Sequence, residues 1–221
     1  MAYVLGFIYA DGCMYVSARG NYVLVTSTDE EIIFKIKKWL KSNHKIRISK
    51  SSWPNGKTRF VLRMGNKELY GSLKELGLRP NKSLTIGLPR IPVEFLCDFV
   101  RGYFDGDGCV HLDKMRGSKS QLIVKKLSII FTSGSKNFLE DLLKILRVNL
   151  VLKQTKIYNS HRSYQLRFTT GDTMTLFKFL YQNSPKELFF ARKFKIFYEY
   201  FKLRPQRIDK AINKILERNM A

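Results

Sequence analysis

Two short stretches of this 221-residue chain put a carboxylate directly before a glycine at the end of an apolar run. Leu5-Gly6-Phe7-Ile8-Tyr9-Ala10-Asp11-Gly12-Cys13 recurs as Arg101-Gly102-Tyr103-Phe104-Asp105-Gly106-Asp107-Gly108-Cys109. Gly6 and Ala10 are four apart, as are Gly102 and Gly106, so a helix through either stretch carries a strip of minimal side chains. Two such strips allow close approach of helix backbones, and packing them together brings Asp11 and Asp107 side by side. Each acid then meets the negative end of a helix macrodipole and repels its twin. Local stability favours lysine there, and bound divalent cations resolve the conflict. Mg²⁺ (or Mn²⁺) takes a few carboxylates together with phosphate oxygens and water. Two such ions beside a phosphodiester activate a water and stabilise the leaving 3′ oxygen. One Asp-Gly is an ordinary turn; its recurrence behind matched small-residue stretches makes Asp11 and Asp107 a candidate catalytic pair. Asp105 has Tyr9 as its counterpart and stands outside that pair.

Other chemistry is poorly supplied. The histidines are His44, His111 and His161, and the cysteines are Cys13, Cys97 and Cys109, with no C-x-x-C pair. Neither a structural zinc site nor a histidine-based nuclease centre is expected from that set. Sparse cysteine fits a reducing, intracellular compartment. High Lys, Asn, Ile, Phe and Tyr usage fits an AT-rich genome of bacterial, phage or organellar source. Cys13 and Cys109 are twins in the repeat and read as small buried apolar residues. A formal charge of +22 on a chain that is 44% apolar calls for a polyanionic partner, because a folded globule pays for such charge in self-repulsion. No uncharged apolar run approaches the roughly 20 residues of a membrane-spanning helix. The opening Met1-Ala2-Tyr3-Val4 lacks the basic flank of a signal peptide.

The elements that must position the two acids are themselves written twice. Val25-Thr26-Ser27 matches Phe131-Thr132-Ser133, and Leu62-Arg63 matches Leu166-Arg167. The extra residues of the second copy fall near Lys114 to Lys126, where a loop or longer strands absorb them. Each copy reads as helix, two strands, helix, two strands, helix. The first helix ends at Asp11-Gly12, with glycine in its usual place past a helix C-terminus. Strands are expected near Met14 to Val16 and Tyr22 to Thr26. Thr28-Asp29-Glu30-Glu31 supplies an N-cap and first-turn acids for a helix with Ile32, Ile33, Ile36, Trp39 and Leu40 on one face. Lys45 to Ser49 and Arg59 to Met64 alternate as strands around a Pro54-Asn55-Gly56 turn, and Glu68 to Leu76 is helical. In the second copy Ser135 caps Phe138 to Leu146, strands follow near Leu152 to Tyr158 and Ser163 to Thr169, and Thr173 to Tyr181 is helical. The first repeat spans 1–78, a linker 79–92, and the second repeat 93–221. A basic helical region from Arg192 to Arg218 has no partner in the first copy.

Charge is concentrated on the paired strands. The stretch from Ile32 to Lys67 has eleven Lys or Arg and no acid. Alternation gives these strands an apolar face (Ile46, Ile48, Phe60, Leu62, Met64) and a basic or polar one (Lys45, Arg47, Ser49, Arg59, Arg63). The second copy sets Tyr164, Leu166 and Phe168 against Gln165, Arg167 and Thr169, with Lys153 at the start of the neighbouring strand. Such a face fits a DNA major groove, with Arg, Lys and Gln at base edges and phosphates. Trp53 beside Pro54 is a candidate for touching the DNA backbone or pinning the hairpin.

Val4 to Gly12 and Val100 to Gly108 together resemble the two motifs of monomeric LAGLIDADG homing endonucleases, and the resemblance covers essentially the whole chain. It implies an α+β fold, a tandem pseudo-twofold αββαββα repeat whose two antiparallel sheets form a DNA-binding saddle. It implies a monomer that cleaves both strands of a long, nearly unique double-stranded DNA site with divalent metal. Asp11 and Asp107 are then the metal-binding acids, the carbonyls of Ala10 and Gly106 further ligands, and Gly6, Ala10, Gly102 and Gly106 the helix interface. Lys82 and Lys193 match the basic residues that such enzymes place near the active centre. Ser27 and Ser133 depart from the Gln or Lys that many relatives carry there. The alternative within the same architecture is a non-cleaving intron RNA maturase, with host intron RNA as partner, or a DNA-binding regulator.

Overall fold

The computed structural model describes residues 1–50, 56–116, 122–153, 155–185 and 188–220. Trp53, Pro54 and Asn55 lie outside the described residues. By compactness the chain divides into Met1–Gly106 and Asp107–Ala221. No helix among the described residues is long and apolar enough to cross a membrane.

The first unit runs α1 (Ala2–Asp11), β1 (Gly12–Ser17), β2 (Gly20–Ser27), α2 (Glu30–Trp39), β3 (Ile46–Ser49), β4 (Arg59–Gly65), α3 (Lys67–Glu75) and α4 (Val93–Asp107). Its antiparallel sheet has the order β1-β2-β4-β3. The register sets Val25 opposite Leu62 and Leu62 opposite Ile46, so these residues share one face. Met14, Val23, Val25, Leu62 and Met64 are buried on it, as are Ile32, Ile33 and Ile36 of α2 and Tyr70 and Leu73 of α3. Full burial of one such aliphatic side chain contributes about 1.5–3 kcal/mol, which is what fixes the register. Alternation turns Cys13, Tyr15, Arg47, Arg59 and Arg63 to the opposite face.

The second unit repeats the order with β5 (Gly108–Arg116), β6 (Leu122–Ser133), α5 (Lys136–Asn149), β7 (Ile157–Ser160), β8 (Ser163–Arg167) and α6 (Thr170–Tyr181). Its strand order β5-β6-β8-β7 is the same as in the first unit. The order αββαββα thus occurs twice, the second time with α4 as its opening helix. Ser135 caps α5 through a bond from the Phe138 amide. The inserted residues lengthen β5 and β6, whose pairing shifts register between Asp113 and Lys114. Two helices follow, α7 (Ala191–Leu203) and α8 (Lys210–Met220). This C-terminal region is more than a basic appendage. Phe194, Phe197 and Phe201 recur at helical spacing and pack around Phe177 of α6 with ring centroids 5.0–5.9 Å apart. Arg218 of α8 donates to the carbonyls of Tyr181 and Gln182, satisfying the C-terminal end of α6.

Several expectations need correction. Gly12 does end α1, but with φ −91° and ψ 151°, an extended conformation and not the left-handed one. Its requirement is steric: a Cβ there would lie 2.4 Å from the Ile8 carbonyl oxygen, because the chain passes straight from helix into strand. Cys13 and Cys109 are exposed. Gly12 and Met14 point inward, so strand alternation must turn Cys13 outward, and Val110 does the same for Cys109. Lys153 precedes β7 in irregular chain, its backbone amide bonded to Asp172 Oδ1 at 3.0 Å. As expected of Thr28-Asp29-Glu30-Glu31, α2 has an N-cap, Asp29, with Glu30 and Glu31 in the first turn.

Candidate active site and basic sheet faces

Helices α1 and α4 meet inside the first unit through their small residues. A Cβ on Gly6 would lie 2.0 Å from the Phe99 carbonyl oxygen, and one on Gly102 would lie 1.9 Å from that of Tyr3. A Cβ on Gly106 would lie 2.3 Å from Ala10 Cβ and 3.4 Å from Asp11 Oδ2. These are backbone-to-backbone approaches, so no rotamer change relieves them. Around the strip, the Tyr3 hydroxyl donates to Asp105 Oδ2 at 2.8 Å, and both residues are buried. Arg101, fully buried, pairs with Asp98 and lies 5.5 Å from the Tyr3 ring. Asp105 therefore ties α4 to α1, the kind of partnered position a buried carboxylate requires. Its counterpart Tyr9 donates to the Leu76 carbonyl, and burial raises the Tyr9 hydroxyl above its ordinary pKa.

Asp11 is the exposed last residue of α1, and Asp107 is the half-buried last residue of α4. A buried ammonium stands at the end of each helix. Lys82 is 7% exposed and donates from Nζ to the carbonyls of Tyr9 at 2.5 Å and Ala10 at 3.2 Å. It is delivered by a 3₁₀ turn, Lys82–Leu84, entered through Asn81 at φ 56°. Lys193 is 4% exposed, sits in the first turn of α7, and donates to the Gly108 carbonyl at 2.6 Å. Neither is an ordinary solvent-facing lysine. Burying an ammonium is costly unless it is compensated, and carbonyls at the negative end of a helix compensate it. The Ala10 carbonyl, expected as a ligand, accepts a hydrogen bond from Lys82.

Among the described residues no three or more His, Cys, Asp and Glu gather in one place. The donors at the helix ends are oxygens only: carboxylates and backbone carbonyls. That set suits a hard divalent cation such as Mg²⁺ or Mn²⁺ and does not suit a thiophilic one. Ser27 and Ser133 have a local task in common. Ser27 Oγ accepts from the Asp29 amide and Ser133 Oγ from the Ser135 amide, each at 3.1 Å, turning the chain into α2 and α5.

The basic residues expected at DNA lie on the outer sheet faces. Arg47, Ser49 and Arg59 are exposed on β3 and β4; Lys45 just precedes β3. Arg63 is pinned: its guanidinium carbon lies 4.1 Å from the Tyr22 ring centroid and 5.6 Å from that of Tyr15, and the two rings stack. Arg63 Nε is buried and has no hydrogen-bond partner among the described residues. Its twin Arg167 donates from Nε and Nη2 to Gln165 Oε1 at 2.9 and 2.5 Å and lies 5.4 Å from the Tyr158 ring. The stacking tyrosines were not read as site residues, though Tyr15 and Tyr22 sit directly opposite in the β1–β2 register, a cross-strand aromatic pair.

Residues 94–179 match the family model of a LAGLIDADG-like domain. The probable translation initiation factor IF-2 of Methanocaldococcus jannaschii is 30% identical over 174 residues, 74% of this chain. The matched part is 12% of that relative, so this chain spans about an eighth of its length. The fold is similar to that of the meganuclease I-AabMI bound to uncleaved DNA (TM-score 0.60, 14% identity, 99% of this chain and 97% of that one). It is also similar to I-SmaMI bound to uncleaveable DNA (0.62, 14%, 99% and 94%) and to I-DmoI in complex with DNA and Mn (0.51, 22%, 78% and 90%).

Proposed function

We propose that this chain, whose residues 94–179 match the LAGLIDADG-like domain model, is a site-specific endonuclease of double-stranded DNA working with Mg²⁺ or Mn²⁺. The observation that carries the reading is the duplicated arrangement at the helix ends: an acid, a glycine, and a buried ammonium bonded to a neighbouring carbonyl. Asp11 and Asp107 hold the ions, assisted by the carbonyls of Ala10 and Gly106. When bound, the metal supplies Lewis acidity to a phosphodiester and lowers the pKa of water.

The chain's own residues prepare for that charge. Each helix end combines a carboxylate, about half a negative charge from the macrodipole, and one ammonium, leaving roughly half a negative charge. A divalent ion with a phosphate is accommodated there, whereas a second bare carboxylate is not. Lys82 and Lys193 act as positioning residues that hold the carbonyls beside the acids. The outer faces bind the duplex through Lys45, Arg47, Ser49, Arg59 and Arg63 in the first repeat (1–78), and Lys153, Gln165 and Arg167 in the second (93–221). Residues 79–92 join the two repeats and carry Lys82. One chain holds both acids, so the enzyme works as a monomer. A maturase or regulator of the same architecture has no need of either acid, and both are retained. The translation-factor relative shares a small part of its length with this chain, and no factor activity is proposed. The I-DmoI complex with Mn supports the choice of divalent ion.

Deep sequencing of the products cut from a randomised duplex library tests the reading. One long motif cut only with Mg²⁺ or Mn²⁺ present is the expected result; no enrichment, or cutting that survives chelation, removes it.

A further inference from the structure

The second unit carries a cationic cleft away from the helix ends. Its volume is ≈ 220 Å³, and Lys125, Lys126, Thr170, Arg204, Gln206 and Arg207 are among its lining residues. Two of its parts, the extension of β6 and the turn after α7, belong to this copy alone. Strand β6 extends well beyond the residues that pair with β8, and Thr170 Oγ1 covers its free edge by bonding both the amide and the carbonyl of Leu127. Farther along that edge Arg204 Nη2 donates to the Val124 carbonyl at 2.8 Å. Arg204 opens the 3₁₀ turn Pro205–Arg207 that links α7 to α8, a region with no counterpart in the first copy. The turn therefore braces the lengthened hairpin and sets its own arginines beside Lys125 and Lys126.

Four cations line this cleft and, among the described residues, no carboxylate does. The acids nearest in sequence are engaged elsewhere. Glu199 pairs with Lys114, while Asp209 pairs with Lys178 and accepts from the Ile212 amide. Four like charges around one small volume repel one another unless an anion joins them. Simple packing does not call for it, since Lys125, Lys126 and Arg207 are exposed and Arg204 alone braces the strand. We propose that this cleft binds the phosphodiester backbone of DNA flanking the cleavage site, and that the C-terminal helices serve as a clamp outside the sheet. The inference rests on the endonuclease reading and extends it to a contact that the sheets do not make.

The test compares two duplexes recovered from the cleavage library. One is the minimal site, and the other is lengthened by about one helical turn (~10 base pairs) on each side in turn. Wild type is expected to bind the duplex lengthened on one side more tightly than the minimal site. Lys125→Gln with Arg207→Gln is expected to abolish that gain and to lower the slope of log affinity against log salt by about two. Its binding and cutting of the minimal site should stay at wild-type level. Lys125→Arg with Arg207→Lys should keep the gain, which separates charge from packing. If the Gln variant keeps both the gain and the slope, the cleft is not a phosphate site, while wild-type cutting of the minimal duplex leaves the endonuclease reading standing. If wild type neither binds nor cuts the minimal duplex, both fall together.

Discussion

The two copies of the repeat deliver an ammonium to the same kind of place by different scaffolds. In the first, Lys82 arrives on a 3₁₀ turn and bonds the carbonyls just before Asp11. In the second, Lys193 arrives on a helix and bonds the carbonyl just after Asp107. Packing alone seldom reproduces a buried charge from unrelated backbone, so the recurrence points to the chemistry of the helix end. The outer faces differ in the opposite way. Arg63 and Arg167 hold matching positions, but aromatic rings fix the first and Gln165 fixes the second through hydrogen bonds. The residue matching Gln165 is Val61. On the proposed endonuclease reading, symmetry is kept at the helix ends and relaxed on the sheet faces, the pattern that reading an asymmetric site requires.

The largest effect is expected where the copies depend on each other's backbone. Gly102→Ala forces a methyl onto the Tyr3 carbonyl and should cost about 3 kcal/mol or more, at the upper end of overpacking, read as a lowered midpoint in urea. Gly171→Ala, where no atom lies within 4 Å of the new Cβ, is the control and should change little. A similar midpoint for both variants would break the close-packing account. Next comes the lysine pair. Lys82→Met should lower kcat by about 10- to 100-fold with DNA Kd little changed, since a charge-assisted bond of about 1.5–3 kcal/mol is lost. Lys193→Met should act in the same direction. An effect on Kd alone would show that these lysines serve binding and do not position the helix ends. The smallest effect concerns the arginines. Gln165→Val releases Arg167, and Val61→Gln offers Arg63 the partner its twin has; each should shift DNA affinity by about 0.5–1 kcal/mol. Measuring both changes singly and together decides whether the two faces read DNA independently, in which case the effects add.

Much of the frame was legible in the sequence because it rests on periodicity. Strand alternation and helical spacing located both strand pairs of the first copy and the helices that cover them, and Ser135 could be named as a cap from its type and place; the strand expected from Leu152 begins only at Ile157. What was missed required neighbours distant in sequence. The exposure of Cys13 follows from alternation once Gly12 and Met14 are seen to point inward, yet residue type argued for burial. Residue type and place mark Gly12 as a conformational glycine, and only the proximity of Ile8 shows that its role is steric. The C-terminal helices advertise their charge, while the stripe of Phe194, Phe197 and Phe201 reveals its purpose only with Phe177 in place. Lys82 and Lys193 follow from the family resemblance alone, by their place in each repeat. Their carbonyl partners, 72 to 85 residues away, had no local signal.

Strand-resolved cleavage by Asp11→Asn and Asp107→Asn tests the central claim most directly. On a duplex recovered from the library, with each strand separately labelled, both variants should bind like wild type and either fail to cut or leave only a nick. Cutting of both strands by either variant at the wild-type rate would contradict the assignment of these two acids.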